Sequence, residues 1–427
     1  MRIFRAGERG FKRFLHEVEG RWVHEGFHLE EQVYSILKQV RQKGDKAVLR
    51  YSEMFDGLRI PADQLEVKSN EIRKAYREIS PSFLKTLKTA TGRIRRFHRL
   101  AKRRSVLSRR EPGVEMKEIT SPLERVGIYV PGGKAAYPST VLMAAVAARE
   151  AGVKEIFVAT PPQRDGIHPA VLVASDLAGV DRIFRVGGVQ AIGALAYGTE
   201  SIPRVDKIVG PGNRYVAMAK KLVYGTVDID MVAGPSEIVI VADGGNPPSF
   251  IAADLISQAE HDEMALTILI TLSGDFGKKV GDELKRQLSS LKRKQIARAS
   301  LDRRGAILVV KNIDQAIEVV NRIAPEHLEL SVSNPEQVAR RIRHAGAIFL
   351  GPYTPEAIGD YLAGPSHILP TAGTARFSSP LSVQDFVKRT NWIRFSRKAL
   401  RQFEGDVERF AECEGLEGHY RAVQVRM

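Results

Sequence analysis

The 427 residues contain a single cysteine, Cys413. That excludes an internal disulfide and the small disulfide-stapled folds, and it fits a reducing compartment. No apolar run reaches the length of a membrane span without charge. The opening stretch, Met1-Arg-Ile-Phe-Arg-Ala-Gly-Glu-Arg9, lacks the apolar core of a signal peptide. A cytoplasmic protein is therefore expected. A complete Gly-x-Gly-x-x-Gly fingerprint is also missing. Its nearest approach, Gly210-Pro-Gly-Asn-Arg-Tyr215, carries tyrosine where the third glycine would stand.

What is present is ordinary globular composition, 43% hydrophobic and 27% charged, on a chain long enough for more than one core. Lys and Arg outnumber Asp and Glu by 65 to 50, giving a net charge of +15. Such an excess suits nucleic acid, a membrane surface or anionic small molecules. The densest basic run, from Arg93 to Arg104, spaces its apolar residues like one helix face and carries no nucleic-acid reading motif. A solvated helix is the plain reading of it; a nucleic-acid-binding surface is the rival.

Residues up to about Arg110 read as helical, with Pro81 opening a long pattern through Phe97. From Glu124 the texture changes to β-branched runs alternating with Ala-rich amphipathic segments. Strands are expected at 126–130, 155–159 and 207–209, and helices at 138–151, 170–177 and 214–224. The rhythm repeats from Glu237 to Leu350: strands 238–241, 266–271, 306–310, 328–332 and 347–350, with helices 249–259, 275–288 and 313–323. This predicts an α/β fold with two doubly wound, Rossmann-like units. After Pro380 a separate helical tail is expected.

Glycine turns cluster between Val126 and Glu237: Pro131-Gly-Gly133, Gly187-Gly188, Gly210-Pro-Gly212 and Ala233-Gly-Pro-Ser236. Each is a common βα turn by itself; together they suggest a crevice for an extended ligand.

Four distant stretches hold a mixed nitrogen and oxygen set. Gln258 and His261 lie three apart at a helix end and so face one side. Asp360 sits in a Gly-rich turn, and Glu414 and His419 lie in the tail. Two imidazoles, a carboxylate and an amide suit a borderline-soft divalent ion such as zinc. Glu326-His327, stiffened by Pro325, suits proton transfer near neutral pH. The bland alternatives are a surface helix end, a turn aspartate, a solvated tail histidine and a chance pair at a strand start. His367 reads as a packing or hydrogen-bonding residue, and His16, His24, His28, His98, His168 and His344 as surface.

The motifs become specific when taken in order. Val227-Asp-Ile-Asp-Met-Val-Ala-Gly-Pro-Ser-Glu-Ile-Val-Ile-Val-Ala242, Asp254-Leu-Ile-Ser-Gln-Ala-Glu-His261, Ala324-Pro-Glu-His-Leu-Glu329, Gly359-Asp-Tyr361, His367-Ile-Leu-Pro-Thr371 and Ala411-Glu-Cys-Glu-Gly-Leu-Glu-Gly-His419 run through nearly the whole chain. In these the sequence resembles the histidinol dehydrogenase family. The resemblance implies NAD-dependent, four-electron oxidation of L-histidinol to L-histidine through histidinaldehyde, with one zinc per subunit. It places the zinc ligands on Gln258, His261, Asp360 and His419 and the acid/base pair on Glu326 and His327. Substrate contacts fall on Ser236, Gln258, His261, His327, Asp360, Glu414 and His419, and NAD contacts on Tyr129, Gln190 and Asn213. It implies a homodimer whose tail reaches the neighbouring subunit's site. Neither a membrane nor a nucleic-acid partner is expected, since the sequence offers no apolar span and no reading motif. The implied division is 1–25 as an N-terminal extension, 26–128 with 237–380 as the metal and substrate side, 129–236 as the NAD side, and 381–427 as the tail. Ala144, Ala147, Ser366 and Pro380 depart from the family's usual pattern. A superfamily relative acting on another amino or sulfonated alcohol, or a metal-bearing scaffold without catalysis, is the alternative reading.

Overall fold

The structure is a computed structural model of the full chain, and it describes all residues except 22–26, 102–107, 133–135 and 164–165. Gly133, His24 and the end of the basic run at 102–104 fall outside the described residues.

Two parallel sheets organise the chain. The six-stranded sheet runs, in spatial order, Arg2–Arg5, Ala306–Val309, Leu266–Thr271, Glu237–Ala242, His327–Ser331, Ala347–Leu350. The five-stranded sheet runs Arg182–Arg185, Glu155–Thr160, Arg125–Tyr129, Lys207–Val209, Asp228–Ile229. Strand Glu237–Ala242 is buried along its whole length, as is Leu266–Thr271. Continuous β-branched runs of this kind belong to parallel strands covered by helices on both faces. No helix among the described residues is long and apolar enough to cross a membrane.

In the five-stranded sheet the chain winds outward in one direction through Glu155–Thr160 and in the other through Lys207–Val209, both paired with Arg125–Tyr129. The carboxyl ends of Arg125–Tyr129 and Lys207–Val209 therefore form a switch point, where α/β sheets open a crevice. Gly210 follows at φ +110°, and a Cβ there would lie 2.1 Å from the Tyr129 carbonyl oxygen. Only glycine lets the two strand ends close so tightly.

The structure departs from the sequence reading at several places. Arg2–Arg5 is an edge strand of the six-stranded sheet, paired in parallel with Ala306–Val309, not part of a helical extension. The tail begins with a nine-residue strand, Val387–Phe395, antiparallel to Val114–Pro122; its Lys-Arg-Thr-Asn-Trp-Ile-Arg pattern is exposed and carries no strong alternation. The third departure concerns helices Phe27–Lys43, Asp45–Asp56 and Pro81–Ala101, grouped above with the metal side. Val33, Leu37 and Val40 share a core with Phe157 and Ile192, and Leu87 and Ile94 share one with Val126 and Val158. These helices cover the five-stranded sheet, whose central strand already begins at Arg125. An apolar helix stripe says that something covers it and not which sheet does so.

The basic run is a packed helix face. Ile94 and His98 are buried, and Arg95 and Arg99 pair with Glu150 at 3.2 and 3.0 Å. His98, expected at the surface, is fully buried with neither ring nitrogen hydrogen-bonded, and burial lowers its pKa to about 4.

Candidate metal and catalytic site

Helix Ile313–Ile323 ends at Ala324, which takes the left-handed conformation at φ +50°. Pro325 then turns the chain into the sheet, and Ala347 N–H donates to the Glu326 carbonyl at 2.9 Å. Glu326 and His327 thus arrive at the amino end of strand His327–Ser331, beside Ile238 and Ala347. The site lies at the amino edge of the six-stranded sheet, opposite to the edge that α/β ligand sites usually occupy.

Glu237 holds both residues through its backbone. Its N–H donates to Glu326 Oε2 at 2.8 Å, and its carbonyl lies 2.9 Å from His327 Nδ1. With Nδ1–H donating to that carbonyl, Nε2 is left as the acceptor. Nε2 sits 3.8 Å from Glu356 Oε1. One nitrogen of His327, one oxygen of Glu356 and one of Asp360 lie within 4.8 Å of one another. Burial lowers the His327 pKa to about 4 and raises that of Glu326 well above the carboxylate range. Ser236 precedes Glu237, half-buried at the same edge.

Gln258 closes the last turn of helix Pro248–Ala259. It is fully buried, and both ends of its amide lack a hydrogen-bond partner. An orphaned buried amide costs about 1–3 kcal/mol, so native structures rarely leave one without a purpose. The neighbouring Ser257 hydroxyl donates to Glu356 Oε2 at 3.3 Å, which brings this helix end to the cluster. His261 is exposed and lines a cavity of about 470 Å³ with Tyr361, Tyr137 and Leu142. It lies near enough to His327 and His367 to act on both electrostatically. Asp360 is half-buried on the short helix Glu356–Tyr361.

Sequence reasoning missed three participants. His367 is half-buried, with Nδ1 3.0 Å from the Asp360 carbonyl and 3.6 Å from its carboxylate. Its Nε2 lies 3.4 Å from Thr140 Oγ1, on the helix that follows the central five-stranded-sheet strand. Glu356 is buried, its pKa pushed up to about 9 by desolvation and by Asp360 beside it. The signal for Glu356 was available, four residues before Asp360 on one helix. Behind it Glu329 accepts from the Glu356 N–H at 2.6 Å and shares a hydrogen bond with Asp254; burial raises the pKa of both carboxyls. The third is Arg21, whose guanidinium clamps Glu237.

The tail residues do not join the cluster within one chain. Glu414 and His419 are exposed, on helices Glu404–Glu414 and Glu417–Gln424.

Residues expected at the cofactor gather at the carboxyl edge of the five-stranded sheet. Tyr129 is buried, and its hydroxyl accepts from the Gly188 N–H at 3.1 Å. Gln190 is buried and donates to Asp56 at 3.3 Å, leaving its carbonyl oxygen unpartnered. Asn213 caps helix Arg214–Val223 by accepting from the Tyr215 and Val216 N–H groups. The loop before it is pinned from below. Lys220, buried, donates to the Gly210 carbonyl at 2.9 Å and pairs with Asp230, whose other oxygen accepts from Gly210 N–H at 2.7 Å.

The donor set fits a borderline-soft cation. It offers an unpartnered amide, an imidazole at a cavity wall, a carboxylate, and an acid-rich surround that a positive charge would relieve.

Comparisons with known proteins agree along the chain. The histidinol dehydrogenase family model matches residues 22–427. A histidinol dehydrogenase of Syntrophotalea carbinolica is 54% identical over 93% of this chain and 93% of its own. One of Clostridium acetobutylicum is 49% identical over 100% of this chain and 99% of its own. The crystal structure of histidinol dehydrogenase from Elizabethkingia anophelis superposes with a TM-score of 0.93 at 36% identity, covering 100% of this chain and 98% of that one.

Proposed function

The chain belongs to the histidinol dehydrogenase family, NAD-dependent zinc oxidoreductases of histidine biosynthesis, and on that premise we propose that it carries L-histidinol to L-histidine in two hydride transfers through histidinaldehyde. The observation that carries this reading is the buried, unpartnered Gln258 amide beside the His327, Glu356 and Asp360 cluster.

Gln258, His261 and Asp360 would hold zinc, with His419 of a second chain as the fourth donor. Zinc, when bound, supplies a fixed charge that orients the substrate imidazole and amine, and NAD supplies the hydride acceptor. His327 Nε2 takes the alcohol proton as hydride leaves the carbinol carbon. Its Nδ1–H stays tied to the Glu237 carbonyl, which fixes tautomer and ring. Glu326 then removes a proton from the water that adds to the aldehyde, and the hydrate loses the second hydride. Burial raises the basicity of that carboxylate once ionised, which suits the step. Ser236 lines the substrate's path, and Glu414 of the second chain meets the substrate ammonium. Tyr129, Gln190 and Asn213 line the cofactor crevice.

A homodimer is part of the proposal. It is supported by the exposed tail, where Trp392 is 60%, Ile393 68% and Phe410 69% accessible. Large apolar side chains left exposed along the tail suit a segment that another chain covers. A cytoplasmic location belongs to the same reading, in keeping with the exposed lone thiol of Cys413.

NADH formation from L-histidinol tests the reading. Activity should vanish on chelation and return with zinc. Turnover of another amino or sulfonated alcohol in its place would contradict it.

A further inference from the structure

We propose that an arginine-lined cavity beside helix Ile313–Ile323 binds a small oligophosphate anion, at a place separate from the cofactor crevice. The cavity measures about 650 Å³, within the range of small-molecule sites. Arg322, Arg340, Arg341, Arg343 and Arg376 line it, against one lining carboxylate, Glu318. It belongs to the six-stranded layer, whereas the cofactor crevice opens at the edge of the five-stranded sheet.

Three of the five guanidinium groups are held. Arg322 reaches both oxygens of Glu19 at 2.6 and 3.2 Å. Arg376 donates to the Asn321 and Arg322 carbonyls at 2.9 and 2.5 Å. Arg341 pairs with Asp314 at 2.8 Å, both partners more than half exposed. Arg340 and Arg343 are exposed and form no ion pair among the described residues. The turn that presents Arg341 and Arg343 is itself built. Asn321 Oδ1 accepts from the Arg343 and His344 N–H groups at 2.7 and 3.3 Å, and its Nδ2 donates to the Arg341 carbonyl at 3.2 Å.

Like charges converging on one concavity repel each other, and an anion placed among them removes that cost. Guanidinium is the side chain whose planar fork matches phosphate oxygens two at a time. Several forks around one cavity favour a ligand with more than one phosphate over a lone carboxylate. No Phe, Tyr or Trp lines it, and His344 is its single ring, so an extended platform for stacking nucleic-acid bases is missing from the cavity wall.

The test is calorimetric titration of the zinc-loaded full chain with pyrophosphate, at constant ionic strength and with NAD saturating the crevice. The comparison is the double variant Arg340→Glu/Arg343→Glu, whose two positions are exposed and lie outside the catalytic cluster. The expected result is saturable binding of one pyrophosphate per chain, weakened at least tenfold in the double variant while histidinol oxidation and melting temperature hold. Absence of saturation, or equal binding by the variant, would overturn the proposal. So would preference for a single-stranded oligonucleotide over pyrophosphate.

Discussion

Arg21 and Glu237 are joined by two hydrogen bonds, Nε to Oε1 at 2.5 Å and one terminal nitrogen to Oε2 at 2.8 Å, with both side chains nearly fully buried. The pair connects Arg21, just past helix Arg9–Glu19, to the residue whose backbone holds Glu326 and His327. Arg21 also donates to the Ile323 and Val18 carbonyls at 2.9 and 2.6 Å. Removing the guanidinium leaves a buried carboxylate without its partner. Arg21→Ala should therefore lose about 3–5 kcal/mol of stability. Denaturant melts of the two proteins check this; a loss under about 1 kcal/mol, the scale of exposed pairs, would mean that the pair is screened in solution.

His327→Asn keeps the hydrogen bond to the Glu237 carbonyl within reach but removes the basic Nε2. Turnover of histidinol should fall about 10²–10⁴-fold, the scale of a lost general base. Near-normal kcat would remove His327 from proton transfer.

Glu326→Gln separates the half-reactions. Histidinaldehyde supplied directly should be oxidised far more slowly than by the parent, with a smaller effect on the first hydride transfer. Equal damage to both steps would assign Glu326 to holding the Glu237 backbone.

The Lys220–Asp230 pair fixes the Gly210 loop from inside the protein. Lys220→Met strands Asp230 and frees the loop. The expected outcome is a loss of about 3–5 kcal/mol together with a raised KM for NAD. A KM for NAD equal to the parent's, in variant that still folds, would show that the loop keeps its shape without the clamp.

Much of this molecule was legible in its sequence. Helices Pro138–Ala151 and Ile313–Ile323 and strands Leu266–Thr271 and Ala347–Leu350 fall where periodicity put them, because buried parallel strands and amphipathic helices write their environment into local pattern. Strand Val387–Phe395 did not, because an exposed ribbon has no buried face to impose alternation. The convergence of Gln258, His261 and Asp360 rested on resemblance, since spacing says nothing of contacts a hundred residues apart. Arg21 escaped for the same reason, since its partner Glu237 lies on a distant strand. Glu356 and His367 lie close in sequence to Asp360; the helix that carries Glu356 is too short to show a period, and His367 reads locally only as a packing or hydrogen-bonding residue.

The central claim is that Gln258 is kept unpartnered for a cation. Gln258→Met fills the same space without the amide. Measured as zinc binding and as melting of the metal-free protein, the account predicts at least tenfold weaker zinc binding with a metal-free form as stable as the parent or more so, since an unsatisfied amide costs about 1–3 kcal/mol. Unchanged zinc affinity with a destabilised metal-free protein would contradict it, and would make Gln258 a packing residue.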